Sequence, residues 1–406
     1  MGILSSMFTA VSGLNAYGNA LAVIGNNVAN VGTVGFKSSR AAFAELVSAS
    51  LASGNLQVGL GVHLNAVQGN FTQGSLNTTG NTLDLAVDGD GFFQLENTSG
   101  AIFYSRAGQF QVDQLGQVTD PSGALLQGYQ ATASGVITGA IGNITLASTN
   151  SAPQPTTVSM IKANLDASAT VPTPAFSIAD PTSYNFSTSQ TIYDSLGSAH
   201  DVTFYFVKTA TANTWNLYRQ IDGGAATAAT NLVFTSAGAL STGGSQALSF
   251  AIAGGAATPQ TVTVDFTNMS QFGARSAVLD KTQDGYASGS LQRVTVDTEG
   301  QVVAQFTNGQ TRTLAQVVLN RFANPQGLVR SGDNLFIASN GSGSPVVGAP
   351  GNNGLGRVVS GALEQSNVDL GKEFVDMIVT QRAFQANSRA ITTSDEMLQE
   401  LVNLKR

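Results

Sequence analysis

Leu4, Met7, Val11, Leu14, Leu21, Ile24, Val28 and Val31 follow one another at intervals of three, four or seven, the spacing that lines one face of a helix. The pattern predicts an amphipathic helix over 4–31, opened by Ser5 or Ser6. At the other end Leu370, Met377, Phe384, Ile391 and Leu398 recur every seven residues, flanked by Phe374, Ile378, Leu401 and Val402. A seam this narrow belongs to a helix with a partner along its whole length. Ser366, followed three residues later by Asp369, resembles a capping box and predicts the start of that helix. From there to Arg406 is about 40 residues, or about 60 Å at 1.5 Å per residue, too long for the interior of a compact domain.

Between the ends the period changes. VTFYFV (202–207), TVTVDF (261–266), LQRVTVD (291–297) and FQVD (110–113) alternate or concentrate strand formers, and turn residues separate them at short intervals. VDQLGQV (112–118) and VDTEGQV (296–302) are internal echoes. In each, Asp with Gly three residues on predicts a hairpin tip. The echoes flank a long Ala/Thr/Gly-rich block, so the fold class is mainly β with long α-helices at both termini, nested in layers. The terminal helical part takes 1–32 and 365–406, with the two helices pairing as a coiled-coil-like stem. Connecting hinge segments take 33–70 and 355–364, an inner β-domain 71–149 and 280–354, and an inserted outer β-domain 150–279. Gly13, Gly18, Gly25 and Gly371 each weaken an isolated helix by about 1 kcal/mol relative to Ala, so the ends are expected to fold on assembly.

The chain has 406 residues, 25 acidic and 18 basic, for a net charge of −7. That balance argues against a phosphate-binding surface, so no nucleic acid is expected as a partner. Only 11% of residues are charged, against about 25% in ordinary domains. The surface is therefore built from small polar side chains, which suits repeated contact with neighbours. Cysteine is absent, which excludes disulfides and thiolate metal sites. The first lysine is Lys37 and Asn15 and Asn19 interrupt the first apolar stretch, so no cleaved signal peptide is expected. No run of about 18 apolar residues is evident, and no membrane insertion is expected.

Candidate chemistry is sparse. LDLAVDGDGFF (83–93) offers Asp84, Asp88 and Asp90, but a calcium loop needs oxygen ligands at its positions 1, 3 and 5 and a Glu at 12. Phe92 or Ala86 falls where a ligand is required, so the stretch reads as a tight turn between strands. His63 and His200 are the only histidines, and neither lies in a nucleophile motif. No catalytic, cofactor or metal residue is assigned, and an enzyme is not expected.

The stretch VIGNNVANVGTVGFK (23–37) loads the end of a helix with residues that favour leaving one. It resembles the amino-terminal signature of the bacterial flagellar axial family, the rod and hook proteins, with Gly32 where the family more often has Asn. LDLAVDGDGFFQL (83–95), YSRAGQFQVDQLGQVTDPSGALLQGY (104–129), FANPQGLVRSGDNLF (322–336) and the last 47 residues from Ser360 are similar to family segments in family order. The central block and DKTQDGYASGSLQRVTVDTEGQV (280–302) point to the hook branch, since rod proteins are shorter. VSMIKANLDA (158–167), in the block, is only weakly similar.

The resemblance implies a subunit exported unfolded without a cleaved signal, which polymerises outside the cell beneath a cap. The product is a short curved tube that passes torque from rod to filament. The implied partners are further copies of the chain, the distal rod protein, the hook cap, the hook-filament junction protein and the flagellar export apparatus; no cofactor is implied. On this reading Leu4, Met7, Val11, Leu14, Leu21, Val28, Leu370, Phe374, Met377, Phe384, Ile391 and Leu398 face neighbours in the polymer. Asn26, Asn27, Asn30, Gly32, Gly35, Phe36 and Lys37 form the hinge, because Asn and Gly enter left-handed backbone cheaply. A distal rod subunit is the alternative; a β-rich surface adhesin would leave the terminal seams unexplained.

Overall fold

The computed structural model describes residues 3–47, 59–146 and 150–403. The chain divides into two compact units, Met1–Ser148 with Arg293–Ala304 and Thr311–Arg406, and Thr149–Gln292 with Gln305–Gln310. The first unit carries both helices, α1 (Ile3–Ala29) and α2 (Leu370–Asn403). Helix α2 starts at Leu370 because the Asp369 carboxylate accepts the N–H groups of Gly371 and Lys372 at 2.9 and 3.2 Å. Asp369 is thus the cap itself; Ser366, expected in that role, only accepts the Val368 N–H at 3.4 Å.

Where the sequence suggested a connector over 33–70, Ser39–Val47 and Gly59–Gly69 pair antiparallel as a two-stranded ribbon. The ribbon lies on α1: the Ser12 hydroxyl accepts the Val62 N–H at 3.1 Å, and Tyr17 meets Phe43 with ring centroids 5.9 Å apart. The missed signal is the alternation Val62, Leu64, Ala66 against His63 and Asn65, a strand period.

The rest of the first unit is a sheet assembled from both of its sequence segments. Leu125–Ala131 pairs with Thr311–Val317, Phe92–Glu96 with Leu319–Arg321, and Ile102–Ser105 with Leu335–Ile337, all antiparallel. Its core holds Leu85, Phe93, Leu126, Ile144, Val317 and Val358. Both echoes close turns in the same way: Asp113 accepts the Gln117 N–H and Asp297 the Gln301 N–H at 2.7 Å each. Gly116 and Gly300 supply positive φ at 77° and 73°. LDLAVDGDGFF forms two strands, Leu85–Asp88 and Phe92–Glu96, joined through Gly89 and Gly91.

The second unit packs a five-stranded and a six-stranded sheet around Ile161, Phe204, Phe206, Trp215 and Phe266. It runs past the expected limit of 279, because Ala277–Gln283 is hydrogen-bonded along Val158–Asp166 and Gly289 bridges Ser151.

Candidate assembly face and helix-to-domain junction

Helices α1 and α2 lie side by side in opposite directions. Ser6 meets Ser394 at 3.3 Å and Asn27 meets Glu373 at 3.0 Å. A methyl added at Gly13 would lie 2.9 Å from Asn387 Oδ1, and one at Gly18 would lie 3.8 Å from the Phe384 ring. Small residues let the helices approach: Ala10, Ala16 and Ala20 are buried on α1, as are Thr380 and Ser394 on α2. With Asn387, those two polar residues repeat every seven, offset by three from Met377, Phe384 and Ile391. This polar half of the seam escapes a search for apolar residues, although its spacing is visible.

Met7, Val11, Leu14, Leu21, Val28, Met377, Phe384, Ile391 and Leu398 are half-buried. Leu4 is on α1, its side chain outside the described part. Phe384, expected to face neighbouring copies, lies half-buried beside α1, where a methyl added at Gly18 would stand 3.8 Å from its ring. The apolar surface left open on α2 runs along the flank of that seam, through Phe374 and Ile378, both part of the sequence reading, and Val375 and Val379, which were not, at 50%, 51%, 60% and 60% exposed. Leu370 is 39% and Phe8 on α1 is 67% exposed. Contrary to the sequence reading, Ser5–Ala29 is long and apolar enough to cross a membrane by length and composition.

Past Ala29 the chain turns through a tightly bonded bend. Asn27 is buried, donates to Ser39 O at 2.7 Å and accepts the Ser39 N–H at 2.9 Å, so it ties the helix end to the start of the ribbon. Asn30 donates back to Asn26 O at 2.9 Å, and the Thr33 hydroxyl donates to Asn30 Oδ1 at 3.1 Å. Gly35 has φ 69°, and a Cβ there would sit 2.4 Å from Ala107 N. Gly32 has nothing within 4 Å of an added Cβ. Asn26 and Gly32 are exposed, whereas Phe36 and Lys37 are buried. The seven expected hinge residues therefore fall into an outer part with room and an inner part locked into the domain.

The lock is ionic. Lys37 Nζ lies 2.5 Å from Glu364 Oε1 with both side chains fully buried, and donates to Thr72 O at 2.8 Å. Arg106 Nη1 reaches Glu364 Oε2 at 3.2 Å, Nη2 donates to Gly89 O at 2.8 Å, and its guanidinium stands 5.3 Å over the Phe92 ring. Burial lowers the Lys37 pKa, opposed by the charge and hydrogen bond of Glu364 and reinforced by the nearby Arg106 charge. Arg330 stacks over Phe36 at 5.2 Å and donates to Lys37 O, and Asn367 accepts the Ser38 N–H at 2.8 Å. Burial raises the Glu373 pKa, opposed by its hydrogen bond from Asn27. The sequence pointed to Lys37 but gave no sign of Glu364, Arg106 or Arg330, which come from three distant segments.

Two long terminal helices with an open apolar stripe, joined to nested β-units through a locked bend, define a subunit of an axial assembly. Family descriptions match along the chain: "Flagella basal body rod protein" over 7–37, "Flagellar hook protein FlgE/F/G D1 domain" over 86–175, "Flagellar basal body protein FlaE D2 domain" over 164–286 and "Flagellar basal body rod FlgEFG protein C-terminal" over 359–404. The flagellar hook protein FlgE of Salmonella typhimurium is 40% identical over 98% of this chain and its own full length. That of Escherichia coli is 41% identical over 98% of this chain and 99% of its own length. The solved structure of Helicobacter pylori flagellar hook protein FlgE2 aligns with a TM-score of 0.53, at 14% identity, over 71% of this chain and all of that one. The chain belongs to the flagellar hook protein family, whose members are structural proteins and not enzymes.

Proposed function

We propose that copies of this chain polymerise into the curved, flexible hook tube that passes torque from the rod to the filament. The observation that carries this reading is the Phe374, Val375, Ile378 and Val379 stripe, open on a helix whose other side is already occupied. Four adjacent large apolar residues at that exposure mark a contact surface. On this reading 1–32 and 365–406 form the inner tube as a coiled-coil-like stem, and Ser5–Ala29 owes its apolarity to packing among like helices. The bend lies between Asn30 and Lys37, the inner domain is built from the sheet segments before 149 and after 292, including 355–364, and the insertion over 150–292 forms the outer one. Export without a cleaved signal places the polymer outside the cell. The distal rod protein, hook cap, hook-filament junction protein and export apparatus are the further partners.

The test is Ile378→Asp. The side chain is half exposed in the single chain, so its thermal unfolding should match the parent. In the polymer it would bury an unpaired carboxylate at a cost of several kcal/mol, and electron microscopy should show no tubes. Normal tubes would refute the assignment of this stripe.

A further inference from the structure

A neutral imidazole has one N–H donor and one acceptor nitrogen; only the imidazolium donates from both. His200, in the second unit, has a carboxylate at each nitrogen. Nδ1 lies 2.6 Å from Asp222 Oδ2 and Nε2 lies 3.3 Å from Asp194 Oδ2. The imidazole is 12% exposed, Asp194 3% and Asp222 50%. The full set of bonds is available only to the protonated ring.

The two carboxylates sit on different turns. Asp194 closes the hairpin between Phe186–Tyr193 and Ala199–Lys208, its Oδ1 accepting the N–H groups of Leu196 and Ser198 at 2.9 and 2.8 Å. Asp222 follows the strand Thr214–Ile221 at φ 48°, and its Oδ1 accepts the Asp201 N–H at 3.0 Å. Asp201 is the third carboxylate nearby, held by the Thr191 hydroxyl at 2.8 Å. The charges acting on the ring are those of Asp222 and Asp194.

We propose that His200 is a proton-operated clip, which as imidazolium fastens the 194–198 turn to the turn at Asp222 and on losing its proton releases the 194–198 turn. The neutral ring keeps its proton on Nδ1, where the contact is shorter, and turns a lone pair on Nε2 toward Asp194. Burial pulls the His200 pKa down, but the hydrogen bonds and charges of Asp222 and Asp194 outweigh it and raise it above the ordinary 6.5. A His pKa raised by folding adds stability that is complete below about 6.5 and is lost as pH rises through the folded value. The outer unit is therefore held fully at this corner below about pH 6.5 and loosens there as pH rises through the folded value.

The test uses the full-length monomeric chain labelled with nitrogen-15 in histidine, with a blocked histidine amide in the same buffer as reference. Both His200 nitrogens should hold their protons to higher pH than those of the reference compound. Amide exchange at 196–198, corrected for its intrinsic pH dependence, should speed up about tenfold as His200 titrates, the effect of losing one charged hydrogen bond. In His200→Gln exchange should be fast and independent of pH. The proposal is overturned if His200 titrates together with the reference compound, or if the turn responds to pH equally in parent and variant. Should His200→Gln not fold, Asp194→Asn leaves the Asp222 contact intact and must bring the His200 titration down; an unmoved titration also overturns it.

Discussion

The buried ion cluster allows a prediction in which two substitutions of one ion pair have different consequences. Glu364→Gln removes the carboxylate that contacts both Lys37 and Arg106, and Lys37, Arg106 and Glu364 are all at most 4% exposed by side chain. Stranding buried charge by removing one partner costs about 3–5 kcal/mol, which lowers the unfolding temperature of a unit this size by roughly 10 °C. Lys37→Met leaves Arg106 with Glu364 and fills the space of the lysine stem, so it should cost less than about 2 kcal/mol, mostly for the donor lost to Thr72 O. Glu364→Gln also deletes the charge that holds the Lys37 pKa up and replaces the hydrogen bond to the carboxylate by a weaker one to a neutral amide. A lysine whose pKa folding depresses destabilises the fold at low pH and is relieved as pH rises through its folded value toward 10.5. The variant should therefore recover part of its loss between pH 7 and 10. The only tryptophan, Trp215, is buried in the other unit, which separates the two transitions. Circular dichroism should record the shift while tryptophan fluorescence stays put. Equal losses for the two variants, or a Glu364→Gln deficit that grows with pH, would refute the reasoning.

Two further predictions concern the bend and the insertion. Gly35→Ala should destabilise the first unit by more than about 2 kcal/mol, since φ is 69° and the new Cβ would press 2.4 Å from Ala107 N; Gly32→Asn, with nothing within 4 Å, should stay within about 0.5 kcal/mol, both by denaturant unfolding. Replacing 150–292 by a short Gly-Ser linker should spare tube formation and change tube curvature in electron micrographs; unaltered curvature would count against the outer role of the insertion.

How much of this was legible depended on the range of the interactions. The helices and the strand-rich middle are local periodicities, and the sequence displayed them. The echoes revealed their turns because an Asp carboxylate and a Gly with positive φ act over five residues. The ribbon was overlooked beside the Asn/Gly signature, although Val62, Leu64 and Ala66 carried its period. The Ser366 and Asp369 pair was visible as a capping box, but Asp369, read as its distal member, is itself the cap, because the helix begins three residues later than the box implied. The ion cluster was not legible, because Lys37, Arg106 and Glu364 are brought together by tertiary folding alone. The helix seam was half legible, since Thr380, Asn387 and Ser394 share the heptad but not its polarity.

These features bear on where a flexing tube yields. A hinge needs backbone that moves without breaking strong contacts, and between Asn27 and Lys37 only Val31 to Thr33 is bonded solely within residues 28–36, since Asn30 bonds back to Asn26 and Val34 O accepts from Asn334 at 3.0 Å. Asn27 is held by the ribbon, Gly35 donates to Glu364 O at 2.8 Å, and Lys37 is fully buried on Glu364. Moving any of these costs a buried hydrogen bond or ion pair, each a large fraction of the stability of a domain. The contacts between copies are of another kind on the proposed reading. Charged residues are 11% of the chain, so neighbouring surfaces meet mostly through small polar and apolar side chains, and such interfaces can shift among near-equal packings without separating strong ion pairs. Compliance thus resides mainly between subunits and in the short exposed part of the bend, while the locked part passes force from the helices into the β-units.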